Sequence, residues 1–187
     1  MSKRYLAVSK YLAYAYAWAY AIGFVVSLIL GVWDLMLGVK DLESLGEREF
    51  SPLAYGFDLA LAALFAVVLF RFRNILDKLL GISDFNTLVP IVAAANLVFA
   101  AVGGLPGRFL FWVGLIPLAL IALFFGIRLA ACSTDLLGLR NLYAFAMISF
   151  GVSSVSVFLL PLAPVFWILG SFVLAVFFSR VQAEGLL

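Results

Sequence analysis

The chain alternates long charge-free runs with short charged clusters. Residues 141–179 contain no Asp, Glu, Lys, Arg or His. A bilayer core of about 30 Å takes about 20 helical residues, so this run suits two crossings better than one. Pro161 and Pro164 mark the break, because proline lacks an N–H and disfavours helix in the residue before it. The run therefore predicts helices over 142–160 and 163–179. Four further helices follow from the same pattern: 11–38 with Asp34 inside it, 53–70 entered at Ser51-Pro52 with Asp58 inside it, 87–104, and 109–127 with a kink at Pro117. Residues 72–80 place Phe72, Ile75, Leu76 and Leu79 at i, i+3, i+4 and i+7, which predicts a short amphipathic segment in the membrane interface, ended by Gly81.

The expected fold class is thus all-α: one polytopic membrane domain over 1–187, with six transmembrane helices arranged as three helical hairpins. Each second helix follows a proline (Pro52, Pro106, Pro161) and ends in aromatics and arginine, as in 69–73, 124–128 and 177–180. Phe-Trp recurs at 111–112 and 166–167. A threefold repeat fits this pattern. So does the general liking of outer turns for proline and of cytoplasmic exits for aromatics and arginine.

Composition agrees with the pattern. The 187 residues are 66% hydrophobic and 12% charged, with mean hydropathy +1.20; a soluble domain averages about 25% charged. A net charge of +2 with dispersed basic residues is too small to suggest a nucleic-acid partner, and none is expected. The basic N-terminus reads as the start of a retained helix, since a signal h-region should precede its Ala-x-Ala site.

Lys and Arg set the expected orientation. Nine fall in the N-terminus, the second and fourth loops and the C-terminus (Arg180 among them), and three fall in the opposite loops. Both termini of this cell-membrane, multi-pass chain are therefore expected to be cytoplasmic. Arg71, Arg73, Arg128, Arg140 and Arg180 are candidates for contact with lipid head groups.

Candidate chemistry is sparse. There is no histidine and one cysteine, Cys132, which excludes His-based metal or haem ligation and any intrachain disulfide. GxSxG, HExxH, P-loop and GxGxxG patterns are absent, so an enzyme is not expected. Three helices carry stripes of small residues, each with one strongly polar member: Gly23, Ser27, Gly31, Asp34 and Gly38; Ala54, Asp58, Ala62 and Ala66; Ala93, Asn96, Ala100, Gly103 and Gly104. At 100° per residue each stripe lies on one face, and small residues let helices approach closely. Asp34, Asp58 and Asn96 therefore point at neighbouring helices, with Tyr55 nearby. Two acids at one level would not both stay ionised without a cation or arginine between them. A cation or proton site is one reading, and polar anchors within the bundle are the other.

On helix 1, Tyr14, Tyr16, Trp18 and Tyr20 alternate with alanines that divide into two faces, 13/17/21 and 15/19. That suits a helix between two neighbours. No cofactor is expected, and a bound lipid or quinone is the sharper reading of those aromatics. Ser149, Ser153 and Ser156 on helix 5 read as packing residues.

Two functions follow as expectations. The first is a non-catalytic, lipid-embedded subunit of a larger membrane complex, whose partners are lipids and other integral subunits or copies of itself. The second is a small transporter or channel using Asp34, Asp58 and Asn96. In length and helix number the chain is similar to the small substrate-binding subunits of energy-coupling importers, a likeness that no motif carries.

Overall fold

A computed structural model describes residues 3–36, 52–81, 83, 85–103, 105, 108–132, 136–156 and 158–184. Among these residues the charge-free runs form helix and there is no strand. Helix pairs its own backbone groups, which a chain lying in lipid must do. The helices are α1 (Lys3–Met36), α2 (Pro52–Leu80), α3 (Leu88–Gly103), α4 (Arg108–Ala131), α5 (Arg140–Val155) and α6 (Ala163–Ala183). Four stretches, Lys3–Leu30, Pro52–Lys78, Phe109–Ala131 and Leu160–Ala183, are long and apolar enough to cross a membrane. Leu88–Val102 is a shorter apolar helix. These are the elements of an integral membrane protein.

Several boundaries differ from the sequence pattern: α1 starts at Lys3 rather than residue 11, and α4 and α6 run on to Ala131 and Ala183; two further differences change the reading. Residues 72–80 are not a separate interfacial segment but the continuation of α2. Phe72, Ile75 and Leu76 are fully buried in the core, so their apolar stripe faces other helices. No proline lies between Pro52 and Pro90 to interrupt the helix, and Gly81 follows it with φ +65°, a left-handed geometry natural to glycine at a helix end. The other is α5, which stops at Val155 rather than running to residue 160. Ser156 is extended (φ −96°, ψ 119°) and its N–H bonds the carbonyls of Val152 and Ser153. Serine and valine, which fill 152–157, hold helix weakly. Pro161 then sits in a 3₁₀ turn, Leu160–Leu162, and Pro164 in the first turn of α6, where its missing N–H costs nothing. The acidic first loop and Pro106 lie outside the described residues.

Each helix packs on the next, and α6 returns to α1, so the six close a ring. Contacts give every neighbouring pair an antiparallel sense. Tyr5 meets Arg71 while Gly23 faces Phe57; Arg73 meets Asn86 while Tyr55 meets Ala101; Phe85 meets Phe125 while Phe99 meets Phe111. The closest approach is between α4 and α5. A Cβ added at Gly151 would lie 2.7 Å from Leu123 Cβ and 2.8 Å from the Ala119 carbonyl oxygen, and one at Gly126 would lie 2.9 Å from the Ile148 backbone nitrogen.

The antiparallel ring gathers the start of α1 and the ends of α2, α4 and α6 at one end, with most of the arginines. That end is solid. Phe72 stands edge-on to Tyr143 and Phe177, and Phe125 edge-on to Phe85 and Tyr143, with centroids 5.1 to 5.8 Å apart. Such edge-to-face pairs are the favoured aromatic geometry. Between α4 and α5, Leu136 and Leu137 take left-handed backbone (φ 44° and 59°), uncommon outside glycine. The buried Leu136 side chain and an Arg180 hydrogen bond to the Leu137 carbonyl hold the turn.

The outward faces are apolar. Leu53, Phe109, Phe145 and Phe158 are all exposed, as lipid contact allows and water would penalise. On α1 the described side chains from Val25 to Val32 are all exposed, unlike those of its first half.

Candidate functional site: a cavity closed at one end

The other end of the ring is hollow. All six helices contribute to a cavity of about 370 Å³. Its position follows from helix direction: the wall comes from the later part of α1, the first turns of α2, α4 and α6, and the later parts of α3 and α5. From α1 come Tyr16, Tyr20, Phe24 and Ser27; from α2, Asp58 and Ala62; from α3, Asn96, Phe99 and Ala100. Phe111 and Leu115 of α4, Phe150 of α5, and Pro164 and Trp167 of α6 complete it.

The floor is a bonded aromatic cluster. Trp167 Nε1 donates to the Tyr16 hydroxyl at 2.7 Å, with both side chains buried. Phe65 stacks against both rings, with centroids 4.8 Å from Tyr16 and 4.9 Å from Trp167, and Phe150 packs 4.6 Å from Trp167. Beneath it Leu69 and Phe72 are fully buried. Tyr16 falls on the floor because it follows the alanine face of α1. Ala13 and Ala17 are fully buried, whereas Ala15 is exposed, so only one of the two alanine faces is packed.

Of the residues singled out from the sequence, the fold brings Asp58 and Asn96 to the same wall. Asp58 is half-buried. Asn96 is only 8% exposed. Its carboxamide, on the cavity wall, can donate to or accept from a molecule within it. Tyr55 is not part of the wall; its hydroxyl donates to the Ala101 carbonyl at 3.1 Å, tying α2 to α3. Asp34 is on α1, and its side chain lies outside the described ones.

Arg71, Arg73, Arg128 and Arg140 serve the other end. Arg71 donates to Ser9 Oγ at 3.1 Å and lies 4.7 Å over the Tyr5 ring. Arg73 donates to Asn86, which in turn donates to Asp77. Arg140 donates to the Cys132 carbonyl and to Asn141, while Arg128 lies over Phe124. These donors hold helix ends and loops together. Among the described residues no group of three His, Cys, Asp or Glu side chains could hold a metal ion.

The sequence pattern points to helices 1 to 3 and treats 141–179 as packing. The cavity instead takes Phe150, Ala163, Pro164 and Trp167 from that stretch. The recurring Phe-Trp pairs carry the missed signal, because Phe111 and Trp167 both reach the wall. The serines of α5 do pack: Ser153 Oγ donates to the Ser149 carbonyl, and Ser153 and Ser154 are buried. Comparison with family models, curated proteins and solved structures gives no match for this chain.

Proposed function

We propose that this chain is a small membrane-embedded binding protein that holds a small molecule within its ring of helices, as a substrate-binding subunit of an importer does. The observation that carries the reading is the floor. A channel needs a continuous path, whereas the Tyr16–Phe65–Trp167 cluster and the buried aromatic core beneath it favour a pocket that is filled and emptied from one side. The cavity lies at the lower end of the ~300–1,000 Å³ range of small-molecule sites and has their character, a mainly apolar wall with few polar groups.

In this reading all six helices cross the bilayer and both termini are cytoplasmic, as the nine-to-three distribution of Lys and Arg supports. The cavity then opens in the outer half of the membrane, where a ligand from outside would arrive. Neither catalysis nor a resident cofactor belongs to this proposal. The exposed far half of α1 favours the companion reading, that the chain works within a larger membrane assembly.

Native mass spectrometry of the chain purified from its own membrane tests the proposal. The expected result is a small-molecule adduct at one per chain, absent from Ala100→Phe, which fills the cavity from α3. A chain that carries no adduct, or carries the same adduct in both proteins, would overturn it.

A further inference from the structure

We infer that the ligand is a small organic cation with an aromatic or apolar body; this rests on the proposed binding function. Two features of the wall converge on that chemistry. The first is charge. Asp58 carries the one formal charge among the described lining residues, whatever else its carboxylate contacts. A carboxylate on a mainly apolar wall favours a cation and disfavours an anion.

The second feature is the rings. Tyr20, Phe24, Phe99 and Phe111 line the same space. Aromatic faces are electron-rich and attract ammonium groups, most strongly where water is excluded. Phe99 and Phe111 meet at 67° with centroids 5.7 Å apart, so their ring planes are turned towards different parts of their surroundings. The Asn96 carboxamide on the same wall supplies an acceptor for an N–H donor. Rings, carboxylate and amide together make an amine cage, with Leu115 and Ala62 left for an apolar tail.

The test compares three probes of one shape: phenylbutylammonium, phenylbutanol and phenylbutanoate. Each is titrated into the full chain in phosphatidylcholine nanodiscs, with empty nanodiscs subtracted to remove partitioning. The expected order is the ammonium tightest, by about tenfold over the alcohol, and the carboxylate weakest. Asp58→Asn should narrow the ammonium-to-alcohol ratio to about twofold with alcohol binding retained, and Phe99→Leu should weaken the ammonium more than the alcohol. The wild-type ratio alone decides the matter if Asp58→Asn does not fold. If the alcohol or carboxylate binds as tightly as the ammonium, and Ala100→Phe abolishes that binding, the cation inference falls while the binding function stands. If none of the three binds at millimolar concentration, or Ala100→Phe leaves binding unmoved, the binding function falls and the inference with it.

Discussion

The hydrogen bond between Trp167 and Tyr16 decides whether the cavity has a floor. An indole N–H is a donor only and must be paired when buried, and the Tyr16 hydroxyl is its acceptor at 2.7 Å. Tyr16→Phe would leave that N–H unpaired at a cost of about 1–3 kcal/mol. We expect a lower thermal midpoint for Tyr16→Phe than for Tyr20→Phe, measured by scanning fluorimetry in detergent, with partial recovery on adding Trp167→Phe because both partners are then apolar. Equal midpoints for Tyr16→Phe and wild type would remove the floor from the account. At this scale the sequence is half legible. Asp58 and Asn96 stand out because a polar residue in an apolar stripe has few neighbours it can face. The ring residues do not, since 19 phenylalanines spread over the chain give no contrast between those that line a cavity and those that meet lipid.

Among the elements, the α4–α5 pair sets the geometry of the ring. Gly151 and Gly126 let backbones meet where a Cβ would strike backbone atoms, whereas a Cβ at Gly170 would meet the flexible end of Met147. Gly151→Ala should therefore destabilise by about 1–3 kcal/mol, and Gly170→Ala by clearly less, since the thioether can swing aside. Thermal midpoints of the two variants check this, and a larger loss at Gly170 would contradict it. Helix existence is legible because the charge-free runs are unambiguous. Helix ends are less so. Nothing in 53–80 signals that Phe72 and Ile75 meet helices rather than an interface, because an amphipathic stripe looks the same whichever apolar partner it faces. The early stop of α5 is written in its serines and valines, but the prolines five residues later give the stronger signal.

For the whole molecule, the two ends differ in kind. One is a solid aromatic core knitted by arginines, and the other is a cavity within a ring. Arg71→Met would leave the cavity untouched but release α1 from α2, since it removes the bond to Ser9 and the contact over Tyr5. Faster proteolysis near the N-terminus with unchanged probe affinity is the expected outcome, and loss of probe binding would show that the ends are coupled. That asymmetry cannot be read from the sequence, because the stripes of small residues on α1, α2 and α3 predict close approach at the very end where the cavity lies, and only the sizes of the facing side chains decide where it fails. The central claim is that the cavity is a closed-ended binding site, and Trp167 on its floor reports on it directly. In a chain whose Trp18, Trp33 and Trp112 are replaced by Phe, protein stripped of bound small molecules should show a saturable change in Trp167 emission when an extract of its native membrane is returned, at one site per chain, and Ala100→Phe should show none. Emission that does not change, or that changes equally in Ala100→Phe, would contradict it.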